Sequence, residues 1–189
     1  MRRLQWWVRG VSGACLGVVG LTGRVQSLQA QTTGQAAGQP AGPPAAPADT
    51  ALAREVSTAP ISLERGLAAA AAHGKAISAK YEAEGGHLQL SVYTAQGAKF
   101  SEVLVDPRSG RVLKTEPIDT GEDLTAATAQ RAAMGTATRS LRVAVAHARA
   151  ANAGYHAVSV MPALDHGVPT AMIVLARGAT SKTVTEALH

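Results

Sequence analysis

Two stretches of alternating character meet at Gly85-Gly86, and this junction constrains the chain more than any other feature. On its N-terminal side Ile77, Ala79, Tyr81 and Ala83 alternate with Ser78, Lys80, Glu82 and Glu84, and beyond it Leu88, Leu90 and Val92 alternate with His87, Gln89, Ser91 and Tyr93. A period of two is the side-chain period of a strand, and two glycines between such runs supply the positive φ values of a two-residue hairpin turn. The pattern predicts a hairpin with Ser78, Lys80, Glu82 and Glu84 on a solvated face.

The neighbouring segments extend this unit. Gln96-Gly97 turns the chain into "AKFSEVLVD", where Val103 and Val105 alternate with Glu102 and Leu104. Asp106, Pro107 and Gly110 of "DPRSG" fit a type I turn with a bulge, after which Arg111 to Lys114 form a short last strand. Upstream, Ser62 is placed to cap a helix carrying Leu63, Leu67, Ala70 and Ala71 on one face, and Gly74 supplies its left-handed stop. A helix followed by three or four antiparallel strands is an α+β layer, a helix packed on a small antiparallel sheet. At roughly 55 residues such a unit has a marginal core.

A shift of 81 positions carries Ile77 onto Val158, Ser78 onto Ser159, Gly86 onto Gly167 and Gly97 onto Gly178. The helix has a counterpart in "RSLRVAVAHARAANAG", with Leu141, Val145 and Ala148 on one face and Gly154 at its end. The expectation is two tandem units, residues 61–116 and a degenerate copy over 138–189. Residues 117–137 connect them, with Asp119, Glu122 and Asp123 read as a solvated helix start and a helix expected from Leu124 onward. The second unit shows no counterpart of "DPRSG".

Gly74, the "LSVY" of Leu90 to Tyr93, Gly97, the "VLVD" of Val103 to Asp106, and Gly110 followed by Val112 and Leu113 together resemble a PepSY domain over residues 61–116. The resemblance implies an extracytoplasmic, non-catalytic module that binds or restrains a peptidase, since PepSY domains occur in propeptides of thermolysin-like peptidases and in envelope proteins. The alternative is a structural or ligand-binding envelope module without a peptidase partner. The structural turn residues of the reading are Gly74, Gly86, Gly97, Asp106, Gly110, Gly167 and Gly178.

The ends of the chain place it rather than fold it. Arg2 and Arg3 form a positive n-region, Val11 to Thr22 an h-region too short to span a bilayer, and Leu28-Gln29-Ala30 a cleavage site before Gln31. Residues 1–30 are thus expected to be a signal peptide, leaving a periplasmic or secreted protein with no stable membrane span. Residues 31–60, rich in Ala, Pro, Gly and Gln, read as a disordered linker. The net charge of +5 loses its meaning once the leader is set aside, because four of the eighteen basic residues lie in it and fourteen remain against thirteen acidic ones. That balance argues against a nucleic-acid partner.

Cys15, Trp6 and Trp7 also belong to the leader, so the remainder offers no thiol chemistry. His73, His87, His147, His156, His166 and His189 form no H-E-x-x-H ligand pair. Asp165-His166-Gly167 falls in a hairpin turn without a partnering G-x-S-x-G serine, and no phosphate-binding glycine loop is present. The sequence therefore suggests no catalytic, cofactor-binding or metal-binding residues, and a protein that is not an enzyme.

Overall fold

The computed structural model describes residues 47–189, so the expected signal peptide and most of the expected linker lie outside the described residues. The elements run α1 (Pro47–Thr58), α2 (Leu63–Ala69) extended by a 3-10 turn (Ala70–His73), β1 (Lys75–Glu84), β2 (His87–Gln96), β3 (Lys99–Val105) and β4 (Val112–Ile118). They continue with α3 (Gly121–Thr136), α4 (Leu141–Ala150), β5 (His156–Asp165), β6 (Val168–Arg177) and β7 (Thr180–Ala187). The architecture is α+β, with four α-helices on a single antiparallel sheet of order β4-β3-β2-β1-β5-β6-β7. Two separate small sheets are therefore not what forms. Ala79 pairs with Val160 and Lys80 with Ser159, which fuses the hairpins edge to edge.

Strand starts repeat at a fixed distance: Lys75, Lys99 and His87 lie 81 positions before His156, Thr180 and Val168. The irregularities follow the same spacing, with a bulge between Ala76 and Ser78 in β1 and another between Ala157 and Ser159 in β5. Each hairpin turns at residues with positive φ, Gly85 (58°) with Gly86 (79°) and His166 (49°) with Gly167 (83°), the pairing that matches strand twist. Ser62 and Ser140 cap α2 and α4, each side-chain oxygen accepting from the N–H three residues on.

Helix and sheet meet over one apolar face. Leu63, Leu67 and Ala70 of α2 and Leu141, Ala144, Val145 and Ala148 of α4 are buried. So are the strand residues Ile77, Ala79, Tyr81, Leu90, Val92, Val103 and Val105. Ala71, expected on the buried face of the first helix, is exposed, because the chain tightens into a 3-10 turn there and the helical register changes. The Tyr81 hydroxyl donates to the Ile61 carbonyl, fixing the start of α2 over the sheet.

Three expectations need correction. Residues 47–58 of the expected linker form α1, whose Ala53 and Val56 are buried one helical turn apart and whose helix packs on β5, β6 and β7. The segment has little apolar surface, but small side chains at that spacing suffice when a preformed sheet receives them, since tertiary packing supplies most helix stability. The last strand of the first unit also runs further, to Ile118, carrying Glu116 and Pro117 past the expected end at Lys114.

The solvated face of β1 is the third correction. Ser78, Lys80 and Glu82 are buried, and only Glu84 is exposed. Part of the cause is α3, which crosses this second face: Ser78 Oγ donates to Gln130 Oε1 at 2.8 Å, and Lys75 Nζ donates to the Met134 carbonyl near the helix end at 2.6 Å. Glu122 and Asp123 occupy the first turn of α3, where carboxylates oppose the positive end of the helix dipole.

The hairpin turns at Gly97 (φ 60°) and Gly178 (φ 57°) give a direct test. Nothing lies within 4 Å of a Cβ placed at either position, so a side chain there meets strain only from the backbone. Replacing either with valine is expected to cost about 1–2 kcal/mol, the penalty of a left-handed conformation for a β-branched residue. Thermal melts of the two variants measure it, and unchanged melts for both would count against these turns.

Candidate functional site

A cleft of about 710 Å³ opens at one end of the sheet. It is walled by Glu55 and Thr58 of α1, the Ala59-Pro60 link, the Gly86-His87-Leu88 corner of the first hairpin, the Asp106-Pro107-Arg108 turn and Leu113 of β4. The turn is rigidly built. Asp106 Oδ1 accepts from the Arg108 N–H at 2.9 Å, Oδ2 accepts from Ser109 Oγ at 2.6 Å, and the Asp106 carbonyl accepts from the Gly110 N–H at 2.8 Å. The Ser109 hydroxyl and then the Arg108 amide hold the Asp106 carboxyl below its ordinary range.

The turn is also fastened to the helical layer, because the Pro107 carbonyl accepts from the Ile61 N–H at 3.3 Å. Gly110, with φ at 75°, lies against Ile61, so that a Cβ would sit 3.2 Å from Ile61 Cδ1. Leu113 projects with 69% of its surface exposed, the most exposed large apolar side chain among the described residues. Around it Leu88, Pro60 and Pro107 are apolar, while Glu55, Asp106, His87 and Arg108 place charge of both signs at the rim. A preformed cleft of this size, apolar at its centre and charged at its rim, can receive a ligand or a partner's side chains.

A second polar region lies on the sheet face shared with α3. Lys80 Nζ is 2.9 Å from Glu82 Oε2, and Glu82 Oε1 accepts from Ser91 Oγ at 2.9 Å and from Gln89 Nε2 at 3.4 Å. On the neighbouring strands the Tyr93 hydroxyl donates to Glu102 Oε1 at 3.3 Å, and Lys80 Nζ stands 5.7 Å from the Tyr93 ring centre. Burial first, then the nearby Glu102, Glu82 and Asp123 carboxylates, push the Tyr93 phenol well above its ordinary value. Glu102, read from the sequence as an outward position, is 8% exposed. Its neighbours across the sheet are Tyr93 and Glu116.

Of the seven turn residues singled out in the sequence, Gly86 and Asp106 line the first cleft, and Gly110 closes the turn beside it against Ile61. Gly97, Gly167 and Gly178 sit at hairpin tips elsewhere, and Gly74 lines a different groove of about 600 Å³ with Leu67, Met134 and Arg142. Leu113 and the Lys80–Glu82 pair were not visible as site residues, since alternation alone places both on wet surfaces. Among the described residues no group of three or more His, Cys, Asp or Glu side chains is placed to hold a metal ion. No described helix is long and apolar enough to cross a membrane.

Comparison with known proteins leaves the family open. No family model matches the chain, and no curated protein matches it. Among solved structures, a crystal structure described as a "putative lipoprotein" from Clostridium difficile 630 is similar at 16% identity, covering 59% of this chain and 82% of that one. Its TM-score is 0.29, too low to carry an argument about fold or function.

Proposed function

We propose that the protein is an exported, non-catalytic module of two PepSY-like repeats fused through β1 and β5, and that it docks onto and modulates an extracytoplasmic peptidase. The observation that carries the proposal is the cleft formed by the "DPRSG" turn, where a rigid, hydrogen-bonded frame presents the exposed Leu113 beside Leu88 and Pro60. An exposed apolar side chain beside a preformed cleft offers surface that a docking partner can bury without reordering the fold. The fixed 81-residue spacing of strand starts and bulges supports the repeat reading.

The test uses the full chain and peptidases purified from the envelope of the source organism. Reversible binding with altered turnover is expected for at least one of them. Leu113→Asp should weaken that binding by about tenfold or more while leaving the thermal melt unchanged, because a hot-spot side chain is lost from an already exposed position. If no envelope peptidase binds or changes rate, the structural-module reading takes its place.

A further inference from the structure

We propose that two copies of the protein associate through the outer edge of β7, forming an antiparallel two-fold dimer in which the β7 strands pair about Val184. An edge strand presents a row of backbone donors and acceptors that need partners, and proteins protect such edges with proline, charge or cover. The two edges of this sheet each carry one lysine and one glutamate, and they differ in proline. β4 carries the exposed Pro117, which cannot donate to a further strand. β7 carries neither proline nor glycine, is exposed along most of its length, and is half threonine and valine, which favour strands.

The comparison within the chain sharpens the point. β3 begins 81 positions before β7 and has β4 paired along its outer side. The corresponding side of β7 has no strand among the described residues.

The sequence of β7 selects a second copy as the occupant. Its charged residues are Lys182 and Glu186, placed symmetrically about Val184. Pairing two β7 strands antiparallel about Val184 sets Lys182 opposite Glu186 of the partner subunit and Glu186 opposite Lys182 of the partner subunit. A centre shifted by one residue in either direction forms neither pair. Both side chains lie on the α4 side, Lys182 Nζ at 2.5 Å from Asn152 Oδ1 and Glu186 Oε2 at 2.8 Å from His147 Nδ1, so they share the face on which directly opposed cross-strand residues meet. The molecule already joins strands in this manner, since Ala79 pairs with Val160, the residue 81 positions on. An isologous contact of this kind closes at two copies.

Sedimentation equilibrium of the full chain is expected to show a concentration-dependent dimer. Lys182→Glu and Glu186→Lys each set like charges opposite one another twice, and each should weaken the dimer by about tenfold or more. An equimolar mixture of the two variants, and the double exchange in one chain, should restore it. Circular dichroism of each variant checks folding, and a readout independent of charge comes from Val184→Cys in a Cys15→Ser background. There the two thiols face each other across the axis and should be linked by mild oxidation, because directly opposed residues stand within disulfide reach. A monomer at every concentration, or single-charge variants that dimerise like the parent, or no cross-link at position 184, would overturn the proposal.

Discussion

Replacing Gly74 with alanine is expected to destabilise the fold by about 3–5 kcal/mol. Gly74 is the one residue between the 3-10 turn and β1, and it turns the chain with φ at 138° and ψ at 179°, a combination open essentially to glycine alone. A Cβ there would lie 2.8 Å from the Ala95 carbonyl oxygen and 3.0 Å from its carbon. Those atoms are backbone of β2, which is paired on both sides and cannot move aside. Backbone strain of about 1–3 kcal/mol and overpacking of similar size therefore act together. Urea denaturation measures the loss, and a change below about 0.5 kcal/mol would mean that the joint between helix and sheet is not held as described.

The second large effect concerns Lys80. Lys80→Met is expected to cost about 3–5 kcal/mol, because removing one member of a buried ion pair leaves the other charge uncompensated. Glu82 would keep its bonds from Ser91 and Gln89 but lose the ammonium at 2.9 Å. The fold itself supplies the control. The positions 81 residues on are Met161 and Ala163, so Lys80→Met combined with Glu82→Ala copies the other half of the sheet. The double variant should recover part of the loss, since replacing a buried pair with apolar groups is often neutral or better, while the buried Glu102 carboxylate beside Tyr93 remains. Chemical denaturation of the single and double variants decides it, and a double variant as unstable as the single one would refute this account of the pair.

Much of the strand layout was readable because it rests on local chemistry. Alternation about Gly85-Gly86, the glycine at Gly97 and the Asp106-to-Gly110 turn act through nearest neighbours, and the structure has strands and turns at those places. Burial of Ser78, Lys80 and Glu82 could not be read, because a polar residue at an alternate position looks the same whether water or a helix faces it. α1 escaped notice for the converse reason. Its Ala53 and Val56 are too small to signal a core face, and much of the surface that receives the helix lies about a hundred residues or more away on β5, β6 and β7. The cleft was legible only in part, through the turn that frames it, since the pairing of β3 with β4 and the position of Leu113 depend on distant contacts.

The placement of α1 also dictates an order of events. This helix precedes every strand among the described residues, yet it rests largely on β5, β6 and β7, and Ser57 Oγ accepts from the Gly178 N–H at 3.0 Å. Its seat does not exist until nearly the whole polypeptide has been made and the last hairpin has closed. Such distant pairing requires loop closure before any contact rewards it, which slows folding and raises contact order. α1 therefore docks fully only after the second half of the sheet has formed. Until it does, the surfaces it covers stay open, and its docking turns an assembled sheet into a cooperative whole.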